Sequence, residues 1–253
     1  EYVKTQNAIG TLVVDLPRGL MQYDQFAVGD IFEIWREKNG ALELQNETAY
    51  FLQDWEFWTN DKGAEYIRLV AFDAVWLLDT AIVWAYSGSA AASKTGVPDD
   101  VLKAIVKEQL GADSGVASRT KLTCAPNLSA GGASVTKDFA YRNVLTTLQE
   151  ICEVAQEKND IWLGFDVVRT APGTFEFRTY TGQRGQNHGR ASGDPRLVGR
   201  QYGNLSKASF GTYHADERNV VLVAGQGEDA ARTLVTRSNT SRMSASKWNR
   251  REY

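Results

Sequence analysis

Between residues 138 and 181 the chain changes its hydrophobic period once, and that change limits the fold more than any other feature. Ala140, Val144, Leu145, Leu148, Ile151, Cys152 and Ala155 recur at helical spacing, with Arg142, Thr146, Gln149, Glu153 and Gln156 between them. One stripe is apolar and the rest is polar, which predicts an amphipathic helix. Asp138 is placed to cap its start by accepting a backbone N–H, and Asn159 suits a left-handed turn that would stop it near Lys158. About 18 to 20 residues at 1.5 Å each would span about 27 to 30 Å, enough to cross a small domain. Residues 161–169 and 174–181 are then rich in β-branched and aromatic side chains, and Thr170-Ala171-Pro172-Gly173 supplies a turn between them. This half predicts a β-hairpin. Phe165, Val167, Phe175 and Phe177 alternate with Asp166, Val168, Glu176 and Arg178, so one hairpin face needs cover, and the helix stripe can give it.

The chain before this region is a series of short apolar or alternating runs, at 10–16, 31–36, 41–45, 49–58 and 65–72. Pro17-Arg18-Gly19, Lys38-Asn39-Gly40 and Asn60-Asp61-Lys62-Gly63 separate them, the last two with hairpin-forming pairs. The expectation is an antiparallel sheet that curls on itself as a small barrel or sandwich. Residues 75–82 can form a short helix, and 87–96, almost all Ser, Ala and Gly, read as a loop. A second helix is expected from Pro98 to a stop at Gly111, with Val101, Leu102, Ile105, Val106 and Leu110 as its stripe. Asp99 and Asp100 point about 100° apart on such a helix, so they read as favourable charges at its positive end rather than as a catalytic pair.

Residues 112–137 read as loop with one strand-like piece at 118–124. From 182 to 203 the chain is rich in Gly and Arg, with Arg184, Arg190, Arg196 and Arg200 set against a single acid, Asp194. Such a stretch cannot bury a core. We expect a loop ordered by a neighbouring subunit, with these four arginines as the candidate interface residues. Strands are expected at 205–210, 219–224 and 233–236, and 248–253 reads as an unfinished strand. The glycine turn at 225–229 lacks the Gly-Lys-Ser/Thr of a phosphate loop. The fold class is therefore α+β and β-rich: an N-terminal β-subdomain at 1–85, a loop and helical segment at 86–160, and a second β-subdomain at 161–253.

A net charge of −3 gives no general attraction to nucleic acid or to an anionic membrane. No apolar run reaches the roughly 18 residues of a membrane span; the longest, near 71–86, is broken by Asp73 and Asp79. No signal peptide is visible, and the first residues, without an initiator Met, read as strand inside a longer product. Cys124 and Cys152 make neither a disulfide framework nor a zinc site and read as two buried thiols in a reducing compartment, while His188 and His214 are isolated. No nucleophile elbow, zinc-protease motif or dinucleotide fingerprint occurs. No catalytic, cofactor or metal residues are expected. A carboxylate pair for glycoside hydrolysis is a spatial property that spacing does not reveal. Seven Trp and ten Tyr could line a sugar groove, though in a curled sheet core or subunit interface is the commoner use.

Several segments occur in a telling order: Asn7-Ala8-Ile9-Gly10-Thr11-Leu12, Gly29-Asp30-Ile31-Phe32-Glu33-Ile34-Trp35-Arg36, the pair Leu77-Leu78, and Phe139-Ala140-Tyr141-Arg142-Asn143-Val144-Leu145. Gly164-Phe165-Asp166-Val167, Gly203-Asn204-Leu205, Val223-Ala224-Gly225-Gln226-Gly227-Glu228 and residues 248–253 follow. Together they resemble the siphophage tail proteins of the ReqiPepy-type family, related to tail hub and baseplate proteins. Asp73-Ala74-Val75-Trp76 departs from the glycine usual before the leucine pair, and the arginine-rich loop has no clear counterpart. The resemblance implies a hub-like fold and a non-catalytic role in a distal tail ring that joins the tail tube to other tail proteins. It implies assembly in the host cytoplasm, other tail proteins and further copies of the chain as partners, and a trimer. The alternatives are a glycan-binding receptor module, which exposed aromatics along a cleft would favour, and a carboxylate-dependent glycosidase, which opposed carboxylates would favour.

Overall fold

The computed structural model describes residues 1–20, 26–84, 91–182, 184, 197, 199–205, 207, 209, 217–228, 231–245 and 250–252. The chain forms two compact units, Glu1–Gln186 and Asn187–Tyr253.

The first unit opens with β1 (Tyr2–Val3), β2 (Thr11–Pro17), β3 (Ile31–Lys38), β4 (Ala41–Thr59) and β5 (Glu65–Asp73). They form one antiparallel sheet of order β1-β2-β5-β4-β3. Asn39 and Gly40, both at positive φ, make the tight turn that joins β3 to β4. The two runs at 41–45 and 49–58 are a single strand, because irregularities near Glu33/Trp35 and Leu52/Asp54 let it bend without ending. Bending brings Phe32 and Phe26 over Leu52, Ile67 and Leu69, and Phe32 and Ile34 over Leu12 and Ala71. The sheet thus curls over its own apolar face as expected, and it stays open: among the described residues no barrel closes.

The rest of the first unit surrounds the larger core. Its elements are α1 (Trp76–Asp79), β6 (Ala92–Gly96), α2 (Pro98–Leu110), β7 (Thr123–Cys124), β8 (Val135–Phe139), α3 (Val144–Asn159), β9 (Leu163–Ala171) and β10 (Thr174–Thr181). Val144, Leu145, Leu148, Ile151, Cys152 and Ala155 of α3 are buried against Leu102, Ile105 and Val106 of α2 and Phe165, Val167 and Phe177 of the hairpin. The α3 stripe covers the hairpin as the sequence predicts. At about 25 cal/mol per Å² of apolar area, each fully buried Leu, Ile or Phe stabilises by about 1.5–3 kcal/mol.

Two local expectations are corrected. Asp138 does not cap α3; it lies in β8, which pairs with β6 from Ala92↔Phe139 to Gly96↔Val135. The chain then turns at Tyr141, φ +53°, and Asn143 caps the helix by accepting the Thr146 N–H at 3.1 Å. Tyr141 and Val144 also donate backbone N–H groups to Val83 and Ala81, which fixes the turn. At its far end the left-handed residue is Asp160, one position beyond Asn159, so α3 has 16 residues. Residues 92–96, expected as loop, are the strand β6, which lies against α2 with Lys94 paired to Glu108 at 2.7 Å, and Thr95 bonds Thr136 at 2.9 Å. Residues 87–90 of that expected loop lie outside the described residues.

In the second unit, β11 (Val220–Ala224) and β12 (Leu234–Ser238) form an antiparallel ribbon, followed by α4 (Thr240–Ala245). Of the expected strand 205–210, residues 206, 208 and 210 lie outside the described residues and 205, 207 and 209 are not in a strand; 248–249 and Tyr253 of the expected last strand also lie outside them, and Glu252 makes one bridge to Val220. Among the described residues no helix is long and apolar enough to cross a membrane.

Candidate functional site

Of the four arginines singled out in the sequence, Arg184 has a defined environment. Its guanidinium lies 3.0 Å from Asp166 Oδ2 and 4.1 Å above the Tyr180 ring. Asp166 is 2% exposed, and its Oδ1 takes Lys4 Nζ at 2.8 Å. The carboxylate that alternates with the apolar residues of the hairpin is thus buried, with cations from both ends of the unit reaching it. Arg200 lies in the short 3-10 turn Arg200–Tyr202, with its side chain outside the described set, and Arg190 and Arg196 are outside the described residues.

Asp99 and Lys103, one turn apart on α2, are likewise buried and paired at 3.1 Å. Asp99 does not cap its own helix. It accepts the Leu128 N–H at 2.6 Å and the Thr179 hydroxyl, joining α2 to the 125–131 loop and to β10. Burial pushes Asp73 up to about 6, although Lys4 opposes the shift, and burial followed by the neighbouring Asp73 charge pushes the Tyr50 phenol up to about 12. Among the described residues no three His, Cys, Asp or Glu side chains gather as a metal would require.

A recess of 570 Å³ runs beside α3. Asn7, at φ +55°, builds its first wall: its side chain donates to the Leu163 carbonyl at 3.2 Å and accepts the Phe165 N–H at 2.7 Å. Gln149 of α3 donates to the Asn7 carbonyl at 2.8 Å, so the segment 6–8 is held to both helix and hairpin. Gly164 permits the approach, since a Cβ there would meet Gln6 Nε2 at 2.7 Å. Cys152 and Leu163 give the groove an apolar floor. Burial pushes the Cys152 thiol up to about 12, which leaves it protonated and unreactive at neutral pH. Trp162 stands at one side, 56% exposed. Exposed Glu153 and Glu157 line the helix side, and neither has an ion-pair partner among the described residues.

The ribbon of the second unit is the other unfinished surface. Cross-strand pairs share a face, so Val221/Arg237 and Val223/Val235 point one way and Leu222/Thr236 and Ala224/Leu234 the other. Val221, Leu222, Val223, Leu234 and Val235 are all exposed, so both faces present large apolar side chains to solvent. An isolated two-stranded ribbon is marginal in water. The two ribbon strands were expected, but their exposed faces were not; of the groove residues, Glu153 sits in the expected helix and Trp162 in the link between α3 and β9, and the available signal was the uncompensated Glu153/Glu157 pair one helical turn apart.

Compared with known proteins, the family model described as Siphovirus ReqiPepy6 Gp37-like protein matches residues 2–250. No curated protein matches the chain.

Proposed function

The chain belongs to the siphovirus ReqiPepy6 Gp37-like family, and on that premise we propose that it is a structural, non-catalytic component of the phage tail tip. In this reading it forms a hub or baseplate ring and joins the tail tube to the distal tail proteins. The observation that carries the reading is the β11–β12 ribbon, whose two apolar faces are both exposed within its own unit. Strand surfaces of this kind are covered by neighbours in assembled proteins, and a closed ring repeats one such contact without leaving a free edge. The buried carboxylates Asp99 and Asp166 fit a scaffold, each held by cations that fix the fold. Light scattering of the purified chain tests the reading: a trimer or a multiple of it is expected, and a monomer at high concentration contradicts the ring.

A second reading is glycan binding. The exposed Trp162 beside Gln6, Gln149 and Gln156 favours it, because sugars stack on aromatic faces and bond to amides. Glu153 and Glu157 project from one face of one helix rather than across a cleft, which does not favour glycoside hydrolysis. Measurable binding of a cell-wall glycan by a monomeric chain would select this second reading.

A further inference from the structure

We propose that the ribbon face carrying Val221, Val223, Val235 and Arg237 docks in the Trp162 groove of a second copy of the chain. The inference rests on the ring reading and names its repeating contact.

Charge is the first argument. Asn187–Tyr253 carries eleven Lys and Arg against six Asp and Glu, whereas Glu1–Gln186 carries seventeen against twenty-five. The unit that bears the ribbon is basic and the unit that bears the groove is acidic, so unlike surfaces of two copies attract. The same complementarity holds at residue level. Arg237 is exposed and has no hydrogen-bond or ion-pair partner among the described residues. Glu153 and Glu157, one turn apart, repel each other on the α3 surface until a cation lies between them. A guanidinium fork can take both carboxylates and stack on an indole, and the groove sets both glutamates beside Trp162.

Shape is the second argument. Val221 and Val223 lie opposite Arg237 and Val235, so one ribbon face offers three valines and a single cation. The groove offers an indole, the Cys152–Leu163 floor and two anions. A neutral glycan would stack on Trp162 and leave the two glutamates repelling each other; the ribbon answers both. Because the two surfaces differ, the contact is heterologous, and a heterologous contact whose rotation divides a full turn closes a ring.

The test is sedimentation velocity of the full chain and of three variants: Arg237→Glu, the double variant Glu153→Arg/Glu157→Arg, and the chain with all three changes. We expect each of the first two to weaken self-association by about tenfold or more and the three-change chain to recover it. Raising salt from about 0.05 to about 0.5 M should weaken the wild-type assembly. Unchanged circular-dichroism melts show that the variants fold, and Trp162→Ala should lose more association than Trp162→Phe. An assembly indifferent to both charge reversals, or reversals that the three-change chain does not rescue, would place the contact elsewhere and leave the ring reading standing. A wild-type monomer would overturn both. Tryptophan fluorescence that responds to a soluble chitooligosaccharide in the wild type but not in Trp162→Ala, with association unaffected by Trp162→Ala, would assign the groove to sugar instead.

Discussion

Lys4 Nζ meets Asp166 Oδ1 at 2.8 Å, an ion pair that spans 162 positions of sequence and ties the start of the first sheet to the β9–β10 hairpin. The other carboxylate oxygen takes Arg184, so a single buried acid holds cations from both ends of the unit. Asp166→Ala leaves the partly buried Lys4 without its counter-charge and should lower unfolding free energy by about 3–5 kcal/mol. Lys4→Met should cost less, since Arg184 still neutralises the acid. Urea unfolding of the two variants checks the order, and an Asp166→Ala midpoint equal to wild type would rule the clamp out.

Leu148 sits at the centre of the α3 stripe with no exposed surface. Its truncation to Ala removes packing against α2 and the hairpin together and should destabilise by about 2–5 kcal/mol. Thermal melting reads this directly. An unchanged melting temperature would mean that the helix does not pack as described.

Asp73 gives the fold a pH dependence of definite sign. Burial raises its carboxyl to about 6 from an ordinary value of 3.8, so the folded state holds the proton more tightly than the unfolded chain. The stability this supplies is full below about pH 4 and is lost as pH rises through about 6, a change of about 3 kcal/mol. Asp73→Asn should abolish that fall, because an amide keeps an acceptor for the Val75 N–H, 3.1 Å away, without ionising. Urea midpoints at pH 4.5 and 7.5 decide the matter: equal slopes with pH in wild type and variant would remove Asp73 as the cause.

The parts legible in the sequence are those fixed by local period and turn chemistry. The α3 stripe, the hairpin, the α2 start at Pro98 and the Asn39-Gly40 turn all emerge where expected, because each is decided by residues a few positions apart. Asp138 misled because Ala140 extends the apolar spacing backwards past the true cap, Asn143; the competing β6–β8 ladder joins residues about forty positions apart. The strand β6 itself, Ala-Ser-Lys-Thr-Gly, has no apolar alternation to announce it. Asp166 reads as a surface acid until Lys4 and Arg184 reach it. The groove was illegible for the same reason, since Asn7 builds it by bonds to residues more than 140 positions away. Arg184 was legible as a cation but not as the partner of a buried acid.

Immunogold labelling of purified virions tests the central claim most directly. Antibody against this chain should place gold at the distal end of the tail, on the side of the tube away from the head. Gold confined to the head or along the tube, or virions that contain none of the chain by mass spectrometry, would contradict a tail-tip ring.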